Sequence, residues 1–395
     1  MLQPNLCGKR LRQFAFVFAV TVFTFPLTSV VDAQGPEPDA LQRKVEEICR
    51  KHDVQAMAAA FVSGEGMVEA NCYGVRKRGT TDKVQMSDRF PIGSCTKSMT
   101  ATLAAVLVDT GKIQWTTTIG ETWPQATGDS IHTDLRGVTL DDLLSHQSGL
   151  PENISEISEQ AWASFFEQKQ SPVFERRRML KLVLTEKPSK TRGEFSYSNL
   201  GYAIAAAMLE TRAREPFETL VKKHVFTPLE MKSADFRTNE SAKQLRPPLL
   251  WGHQANGQPI DPRVTNAENP SVYASAGTVN LTIEDFAKYA KWHLVGKPEP
   301  VLRSQATFDH LHTPLVDYTS PGAKYACGWI CLDTGLGRAI NHAGSNTNSF
   351  ALIWVLPDSD FAAVVCTNTA QPQAFPACDE MISQLMLQHA TKPSS

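Results

Sequence analysis

The sequence predicts an α+β fold in which one sheet is built from both ends of the chain and a helical region is inserted between its two halves. Strand-like apolar runs bounded by turn residues occur near residues 56–74 and again after residue 324. Residues 113–271 show helix signals instead and no clear strand pattern. We therefore expect the two halves of the sheet to be far apart in sequence and adjacent in space.

A short helix and a hairpin are predicted at the start of the sheet region. Leu41, Val45 and Ile48 recur at helical spacing, which indicates an amphipathic helix over residues 40–52. The runs MAAAFVS and MVEANCYG follow and are separated by the turn GEG, as in a β-hairpin. The stretch IGSCTKSMT then leads into ATLAAVLVDTGKI, which has the pattern of a helix.

The rest of the chain divides into a helical part and a second set of strands. Thr139 with Asp142 forms a capping pair, and Ser171 with Pro172 opens another helix. The later strand-like runs are YACGWICLD, GRAINHAG, FALIWVLP and FAAVVCTN, the last two being joined by the turn PDSD. A final helix is predicted over about 375–389. This pattern assigns 40–112 plus 272–392 to the sheet subdomain and 113–271 to a helical subdomain.

Composition indicates a globular protein that does not bind nucleic acid. The chain has 395 residues, of which 42% are hydrophobic and 20% charged, and a formal net charge of -2. This balance offers no excess of basic residues to neutralise phosphates. Eight cysteines are present, one of them within the first 33 residues. The remaining seven leave at least one thiol unpaired, and the spacing assigns no disulfide.

The first 33 residues predict a signal peptide. A basic start at Lys9, Arg10 and Arg12 precedes an apolar stretch from Phe14 to Phe25, and the small residues of VDA end it at position 33. Twelve helical residues span about 18 Å, which is short of the ~30 Å hydrocarbon core of a bilayer. We therefore expect residues 34–395 to be exported to the periplasm or the medium, without a stable membrane span after cleavage.

Ser94 and Lys97 are the first candidate catalytic residues. A serine hydroxyl becomes a good nucleophile when a neighbouring base takes its proton, and residues three apart on a helix share a face. Ser94 also lies at the helix start, where the macrodipole favours negative charge and free backbone N–H groups can form an oxyanion hole. An SxxK pair is common by chance, so other stretches have to support it.

Three further stretches support the pair by their order. They are LLSHQSGLP at 143–151, FSYSNLGY at 195–202 and NHAGS at 341–345. Taken singly, His146, Tyr197, Asn199 and His342 are typical of loop, core and cap positions. The sequence contains IGSCTKSMT and then, in this order, all three of these stretches.

The ordered stretches resemble the serine β-lactamase and penicillin-binding protein superfamily, in particular its class C-like branch of esterases and D-amino-acid peptidases. PLEMKSADF at 228–236, ASAGTVNLTIEDFAKY at 274–289 and the tail from YACGWI to VVCTN extend the resemblance over nearly the whole chain after residue 33. The resemblance implies an antiparallel sheet of about five strands, flanked by N- and C-terminal helices, with the active site beside the inserted helical subdomain.

The resemblance also implies roles for three catalytic residues. Ser94 is expected to form an acyl-enzyme, with Lys97 accepting or shuttling its proton. Tyr197 is expected to act as the partner base and to pass the proton to the leaving group. Because a free tyrosine has a pKa of ~10, a tyrosine base requires a nearby positive charge such as Lys97. The choice between Lys97 and Tyr197 as the working base stays open.

Substrate-binding and oxyanion roles follow in the same way for four residues. Asn199 is expected to hold a polar group on the acyl side of the substrate, and the N–H of Ser345 to pair with that of Ser94 in the oxyanion hole. Gly344 is expected to allow close approach of substrate to the strand edge. His342 occupies the place where related β-lactamases carry a lysine, so much of that positive charge is absent at neutral pH.

These observations predict a hydrolase of esters or short peptides and amides, for which β-lactams are poor substrates. D-alanyl-D-alanine carboxypeptidase or weak β-lactamase activity is an alternative, and an inactive cell-wall or partner-binding module is another. A metal hydrolase using His310, His312 or His132 lacks an HExxH motif or comparable ligand cluster in the sequence. We expect a small-molecule substrate, no metal and no cofactor, and the oligomeric state stays open.

Overall fold

The computed structural model describes residues 40–125, 130–167, 170–237, 239–370 and 372–390. The signal peptide predicted over residues 1–33 lies outside these ranges. No described helix is both long and apolar enough to cross a bilayer.

Helices occur throughout the described chain. In chain order they are α1 (Ala40–Lys51), α2 (Thr96–Asp109), α3 (Ile119–Thr122), α4 (Thr133–Arg136), α5 (Leu140–Leu144), α6 (Glu159–Phe166), α7 (Pro172–Val183), α8 (Asn199–Ala213), α9 (Phe217–Val221), α10 (Asn239–Lys243), α11 (Ala274–Gly277), α12 (Ile283–Val295), α13 (Gln305–His310) and α14 (Ala374–Ala390).

Strands are concentrated near the two ends. In chain order they are β1 (Ala56–Ser63), β2 (Gly66–Gly74), β3 (Phe90–Pro91), β4 (Asp235–Phe236), β5 (Gly252–His253), β6 (Pro259–Ile260), β7 (Val279–Leu281), β8 (Val316–Asp317), β9 (Lys324–Tyr325), β10 (Ile330–Thr334), β11 (Gly337–Ser345), β12 (Phe350–Leu356) and β13 (Phe361–Thr367).

The main sheet joins the two ends of the chain, as predicted. Its order is β2-β1-β13-β12-β11-β10-β9-β8, and every neighbouring pair is antiparallel. The halves meet where β1 pairs with β13, with Ala59 opposite Val365. The described sheet thus has eight strands where about five were expected. The difference includes β8 and β9, two-residue edge strands that are too short to show any periodicity in sequence.

The central strands β1, β12 and β13 are buried on both faces because helices cover each face of the sheet. Met57, Ala59 and Phe61 of β1 belong to the core cluster that also contains residues of α1 and α14. The alternate residues Ala58 and Ala60 belong to the larger core cluster formed with α2, α8 and α12. Since successive strand residues point to opposite faces, a strand buried on both sides reads as an unbroken apolar run. MAAAFVS is such a run.

Local signals in the sequence are confirmed in the helical part. Thr139 Oγ1 accepts the Asp142 N–H at 3.1 Å while the Asp142 carboxylate accepts the Thr139 N–H at 2.8 Å, which completes a capping box at the start of α5. Ser171 caps α7, with Pro172 as its first residue. Three two-residue strands, β4 to β6, also lie in the stretch that showed no strand pattern. β4 and β3 both pair with β7 in a second sheet.

A buried ionic cluster holds helices of this region together. The Arg176 side chain is fully buried, and its guanidinium donates to Glu218 at 2.8 and 2.9 Å and to Glu210 at 3.1 Å. Two carboxylates therefore share one buried cation, in the bidentate geometry that a guanidinium favours. This cluster joins α7 to α8 and α9.

Candidate active site

The turn that carries Ser94 is fixed by two strands. A 3₁₀ turn, Gly93–Cys95, leads directly into α2. The N–H of Ile92 donates to the Val279 carbonyl of β7 at 3.0 Å. On the other side the turn packs against the end of β11. Gly93 has φ +48°, and a Cβ there would lie 2.7 Å from Ser345 backbone atoms. The sequence needs glycine at 93 both for the backbone conformation and for this contact.

Lys97 lies fully buried one helical turn from Ser94. Its Nζ is 3.0 Å from Ser94 Oγ, and it donates to Asn199 Oδ1 at 2.8 Å and to the Ala276 carbonyl at 2.8 Å. The Ala276 carbonyl belongs to α11, within the ASAGTVN stretch, so this stretch contributes a backbone acceptor. Any residue type supplies a backbone carbonyl, so the sequence does not predict this contact.

Burial controls the protonation of Lys97. Desolvation lowers the pKa of the Lys97 ammonium to about 7, although the Glu152 carboxylate raises it in part. A neutral amine has two N–H donors and one lone pair. Asn199 Oδ1 and the Ala276 carbonyl can only accept, so they take the two donors. The lone pair is then left in the direction of Ser94 Oγ, where it can accept the hydroxyl proton.

Tyr197 contacts the same hydroxyl from the other side. Its phenolic O–H donates to Ser94 Oγ at 2.8 Å, and Lys97 Nζ lies 4.8 Å from the centroid of its ring. Burial raises the pKa of Tyr197 well above its ordinary value. The expected stabilisation of a phenolate by Lys97 is therefore not what this geometry gives. In the resting site Tyr197 is a neutral proton donor.

His146 packs against the loop that carries Tyr197 and forms hydrogen bonds with it. It is fully buried, its Nδ1 accepts the Ser198 N–H at 3.0 Å, and its carbonyl accepts the Ser196 N–H at 2.8 Å. The imidazole ring lies 4.3 Å from the Tyr197 ring. Burial, with a smaller contribution from Lys97, lowers the pKa of His146 well below its ordinary value. His146 is thus a neutral support for the residues on both sides of Tyr197.

Asn199 is placed at the start of α8 and bridges two site elements. Its Oδ1 accepts from Lys97, and its Nδ2 donates to Asn153 Oδ1 at 2.9 Å. The backbone N–H of Asn199 donates to the Glu152 carbonyl at 2.9 Å. The segment directly after SGLP therefore reaches the site. Glu152 and Asn153 were not predicted as site residues, although they directly follow the stretch LLSHQSGLP on which the family resemblance rests.

His342 is buried and uncharged at neutral pH. Its Nδ1 is 2.7 Å from the Ala343 carbonyl, which can only accept, so this nitrogen carries the proton. Its Nε2, 3.0 Å from the Tyr325 hydroxyl, then accepts from it. Burial, with a further effect of Lys97, lowers the pKa of His342 to about 3. A fixed positive charge is absent from this position.

Gly344 and Ser345 form the end of β11 against the nucleophile turn. A Cβ at Gly344 would lie 1.9 Å from the Ile92 carbonyl and 2.8 Å from the Ser94 nitrogen. Gly344 thus allows close contact between β11 and the turn that carries Ser94. From the sequence it was expected to allow close approach of the substrate. The backbone of Ser345 lies against Gly93. The residues expected to supply the two oxyanion donors, Ser94 and Ser345, meet at this contact.

Among the residues that the structure describes, one group of side chains could hold a metal ion. Donor atoms of Asp141, His310 and Cys327 all lie within 4.8 Å of one another. His310 Nε2 and Asp141 Oδ1 are already within hydrogen-bond distance, at 2.9 Å, and burial raises the pKa of the Cys327 thiol well above its ordinary value. His312 instead pairs with His293 Nδ1 at 2.9 Å. The seven cysteines in the described ranges are free thiols.

The comparisons with known proteins identify the family to which the chain belongs. The beta-lactamase family model matches residues 41–385. The chain belongs to the beta-lactamase family. It therefore has the fold of a serine hydrolase family, and the match includes all seven residues expected to form the site. They are Ser94, Lys97, Tyr197, Asn199, His342, Gly344 and Ser345.

Curated members of the beta-lactamase family are distant in sequence. The D-alanyl-D-alanine-carboxypeptidase/endopeptidase AmpH of Escherichia coli is 22% identical over 388 residues, covering 94% of this chain and 96% of that protein. Penicillin-binding protein 4 of Amycolatopsis lactamdurans is 25% identical, covering 85% and 86%. An unguisins hydrolase of Aspergillus campestris is 24% identical over 87% of this chain, which spans 64% of that protein's length.

Solved structures support the beta-lactamase fold. The penicillin-binding protein homologue from Pyrococcus abyssi superposes with a TM-score of 0.71 at 21% identity, covering 88% of this chain and 76% of that one. The D-alanine carboxypeptidase AmpC from Burkholderia cenocepacia gives a TM-score of 0.67 at 16% identity, covering 88% and 98%. The α+β class expected from sequence is confirmed.

Proposed function

We propose that this protein is an exported serine hydrolase that forms an acyl-enzyme on Ser94 and hydrolyses esters or short peptides and amides. The observation that carries the proposal is the placement of Ser94 Oγ between Lys97 Nζ at 3.0 Å and the Tyr197 hydroxyl at 2.8 Å. The hydroxyl thereby has a proton acceptor on one side and a proton donor on the other.

Acylation begins with proton transfer from Ser94 to Lys97. As the bond forms between Ser94 Oγ and the substrate carbonyl carbon, the hydroxyl proton passes to the lone pair of neutral Lys97. The carbonyl oxygen becomes an oxyanion, which the N–H groups of Ser94 and Ser345 stabilise. Preorganised donors of this kind typically contribute about 10²–10³ in rate each. Lys97 suits this role because its pKa of about 7 leaves much of it neutral near pH 7.

Collapse of the oxyanion requires a proton for the leaving group. Tyr197 supplies it, and the phenolate that results is reprotonated by the ammonium of Lys97. In deacylation a water molecule attacks the acyl carbon and loses a proton to the same pair, and Ser94 Oγ leaves with a proton returned to it. Lys97 and Tyr197 release within each half-reaction the proton that they take up in it, so the site is restored after one turnover.

The neutral state of His342 bears on the substrate class. A lysine at this position binds the carboxylate of β-lactams through its charge, whereas His342 is buried with a pKa lowered to about 3. We therefore place esters, peptides and amides ahead of β-lactams. A D-alanyl-D-alanine carboxypeptidase is the second candidate, favoured by the similarity to AmpH over 94% of this chain.

The alternative of an inactive binding module is disfavoured by the hydrogen bonds of the site. Ser94, Lys97 and Tyr197 are all present and in mutual contact. The basic and apolar start of the chain, which precedes the described residues, supports export as part of this proposal.

A fluorophosphonate probe and a substrate panel test the proposal together. The wild type is expected to be labelled and to cleave p-nitrophenyl esters, and Ser94→Ala is expected to lose both activities. Ser98→Ala, one turn further along α2, is the control and should retain them. A folded wild type that is not labelled would favour the binding module. Fast nitrocefin turnover without ester or D-alanyl-D-alanine cleavage would instead identify a β-lactamase.

A further inference from the structure

We propose that Glu152 recognises a positively charged group on the acyl part of the substrate, so that the enzyme prefers esters and amides whose acyl chain carries an ammonium group. This inference rests on the proposed function and names the substrate class of the same site.

The backbone fixes Glu152 beside the catalytic groups. Its carbonyl accepts the N–H of Asn199 at 2.9 Å and the N–H of Leu200 at 3.3 Å, at the first residues of α8. The side chain of Asn199 contacts Lys97, which in turn contacts Ser94. Asn199 is the residue expected to hold the acyl side of the substrate. Glu152 therefore lies next to the residue that is expected to contact the acyl group.

The Glu152 carboxylate lacks a cationic partner of its own. It is partly buried, and the ion pairs among the described residues include none from Glu152 to a lysine or arginine. Lys97 acts on it electrostatically, but the Lys97 ammonium is engaged with Asn199 and the Ala276 carbonyl and loses its charge near neutral pH. A partly desolvated carboxylate without a counter-ion is costly, so a cation from the substrate would be stabilising.

A second carboxylate adds to this preference. Glu156 Oε1 accepts the N–H groups of Glu152 and Asn153 at 2.7 and 3.1 Å, so its charge is held close to Glu152. Burial and Glu156 both raise the pKa of Glu152. Burial raises the pKa of Tyr197 and of Tyr273, and the charge of Glu152 raises both further. Two neighbouring carboxylates attract an alkylammonium group.

A matched pair of esters isolates the effect of charge. One substrate is p-nitrophenyl trimethylammoniobutyrate, and the other is its uncharged isostere, in which carbon replaces the quaternary nitrogen. We expect the wild type to favour the cationic ester by about tenfold in kcat/KM, and Glu152→Gln to reduce this ratio at least about fivefold. Because both esters are measured on one preparation, partial unfolding or a shifted Lys97 pKa cancels in the ratio.

Two more variants complete the test. Glu159→Gln removes an exposed carboxylate from the same region and should keep the wild-type ratio. Glu152→Lys should reverse the preference toward the anionic p-nitrophenyl glutarate, a gain that misfolding cannot produce. A wild-type ratio near one, or an unchanged ratio in Glu152→Gln, would overturn the inference while leaving Ser94 catalysis intact. Ester hydrolysis that persists in Ser94→Ala would instead overturn the proposed function.

Discussion

The side-chain oxygen of Asn199 accepts a hydrogen bond from Lys97 Nζ at 2.8 Å, in a site where Lys97 is fully buried. Together with the Ala276 carbonyl at 2.8 Å, this contact fixes two of the three directions around the nitrogen and leaves the third for Ser94 Oγ. Asn199 was expected to bind substrate. In the structure it also orients the proposed base and favours the charged form of Lys97.

The first prediction concerns the pH dependence of acylation. Because the neutral amine is the base, kcat/KM for a neutral ester should rise with pH through about 7, the pKa to which burial lowers Lys97. Asn199→Asp places a carboxylate beside Lys97 and should move this limb upward by about one unit or more. Asn199→Ala removes an acceptor that favours the ammonium and should move it downward.

His342→Gln provides the control for this pH profile. The pKa of His342 is lowered to about 3, so its titration lies outside the measured range and the limb should stay in place. If the rise in kcat/KM near pH 7 disappears in His342→Gln and is unchanged in both Asn199 variants, the titrating group is the histidine.

The second prediction separates the roles of Lys97 and Tyr197. If Tyr197 protonates the leaving group, Tyr197→Phe should reduce hydrolysis of an anilide by about 10²–10⁴-fold. A p-nitrophenyl ester releases a stable anion that needs no proton, so its acylation should fall by less than about tenfold. Burst kinetics on the ester and steady-state rates on the anilide give the two numbers. Equal losses would indicate that Tyr197 is the base for Ser94.

The sequence predicts the main elements of the fold because they have long apolar patterns. The helix predicted over 40–52 is α1, and the hairpin of MAAAFVS and MVEANCYG is β1 and β2. The eight-stranded order could not be obtained in this way. The strands β8 and β9 have two residues each and exist through pairing, such as Val316 with Tyr325. A pair of residues has no periodicity from which to predict a strand.

For the site, sequence order identified candidate residues but not their electrostatic state. The sequence leaves Lys97 and Tyr197 as alternative bases, because the choice of the residue that accepts the Ser94 proton depends on burial. In the structure burial lowers the pKa of Lys97 to about 7, so much of it is neutral near pH 7, and burial raises the pKa of Tyr197, which stays neutral. The Ala276 carbonyl was not found, since any residue type supplies one. Gly344 was noticed, but the atoms it accommodates belong to a turn about 250 residues earlier in the chain.

The third prediction concerns the stability cost of the buried lysine. The pKa of Lys97 is 10.5 ordinarily and about 7 in the folded state, so between these values the unfolded chain binds more protons. Stability must then rise with pH across this range. Relative to Lys97→Met, the wild type should gain roughly 2–3 kcal/mol in unfolding free energy between pH 6 and pH 9. Denaturant unfolding of both proteins at the two pH values measures it.

Lys97→Met leaves the acceptors of Asn199 and Ala276 without their donor, which affects the variant equally at both pH values. The prediction therefore concerns the change with pH and not the absolute difference. A difference between the wild type and the variant that stays the same at pH 6 and pH 9 would show that Lys97 stays charged in the fold.

The fourth prediction concerns the contact between Gly344 and the nucleophile turn. A Cβ at position 344 would lie 1.9 Å from the Ile92 carbonyl and 2.8 Å from the Ser94 nitrogen, so β11 or the turn must move. Either movement displaces an oxyanion donor, and loss of one such donor typically costs about 10²–10³ in rate. Gly344→Ala should therefore lose about that factor in kcat, together with about 1–3 kcal/mol of stability from overpacking.

Gly335→Ala is the matched control, because a Cβ there meets no atom within 4 Å. It should retain both kcat and stability. Ester kinetics and chemical denaturation of the two variants test the contact, and wild-type kcat in a folded Gly344→Ala would show that this strand does not hold the oxyanion site.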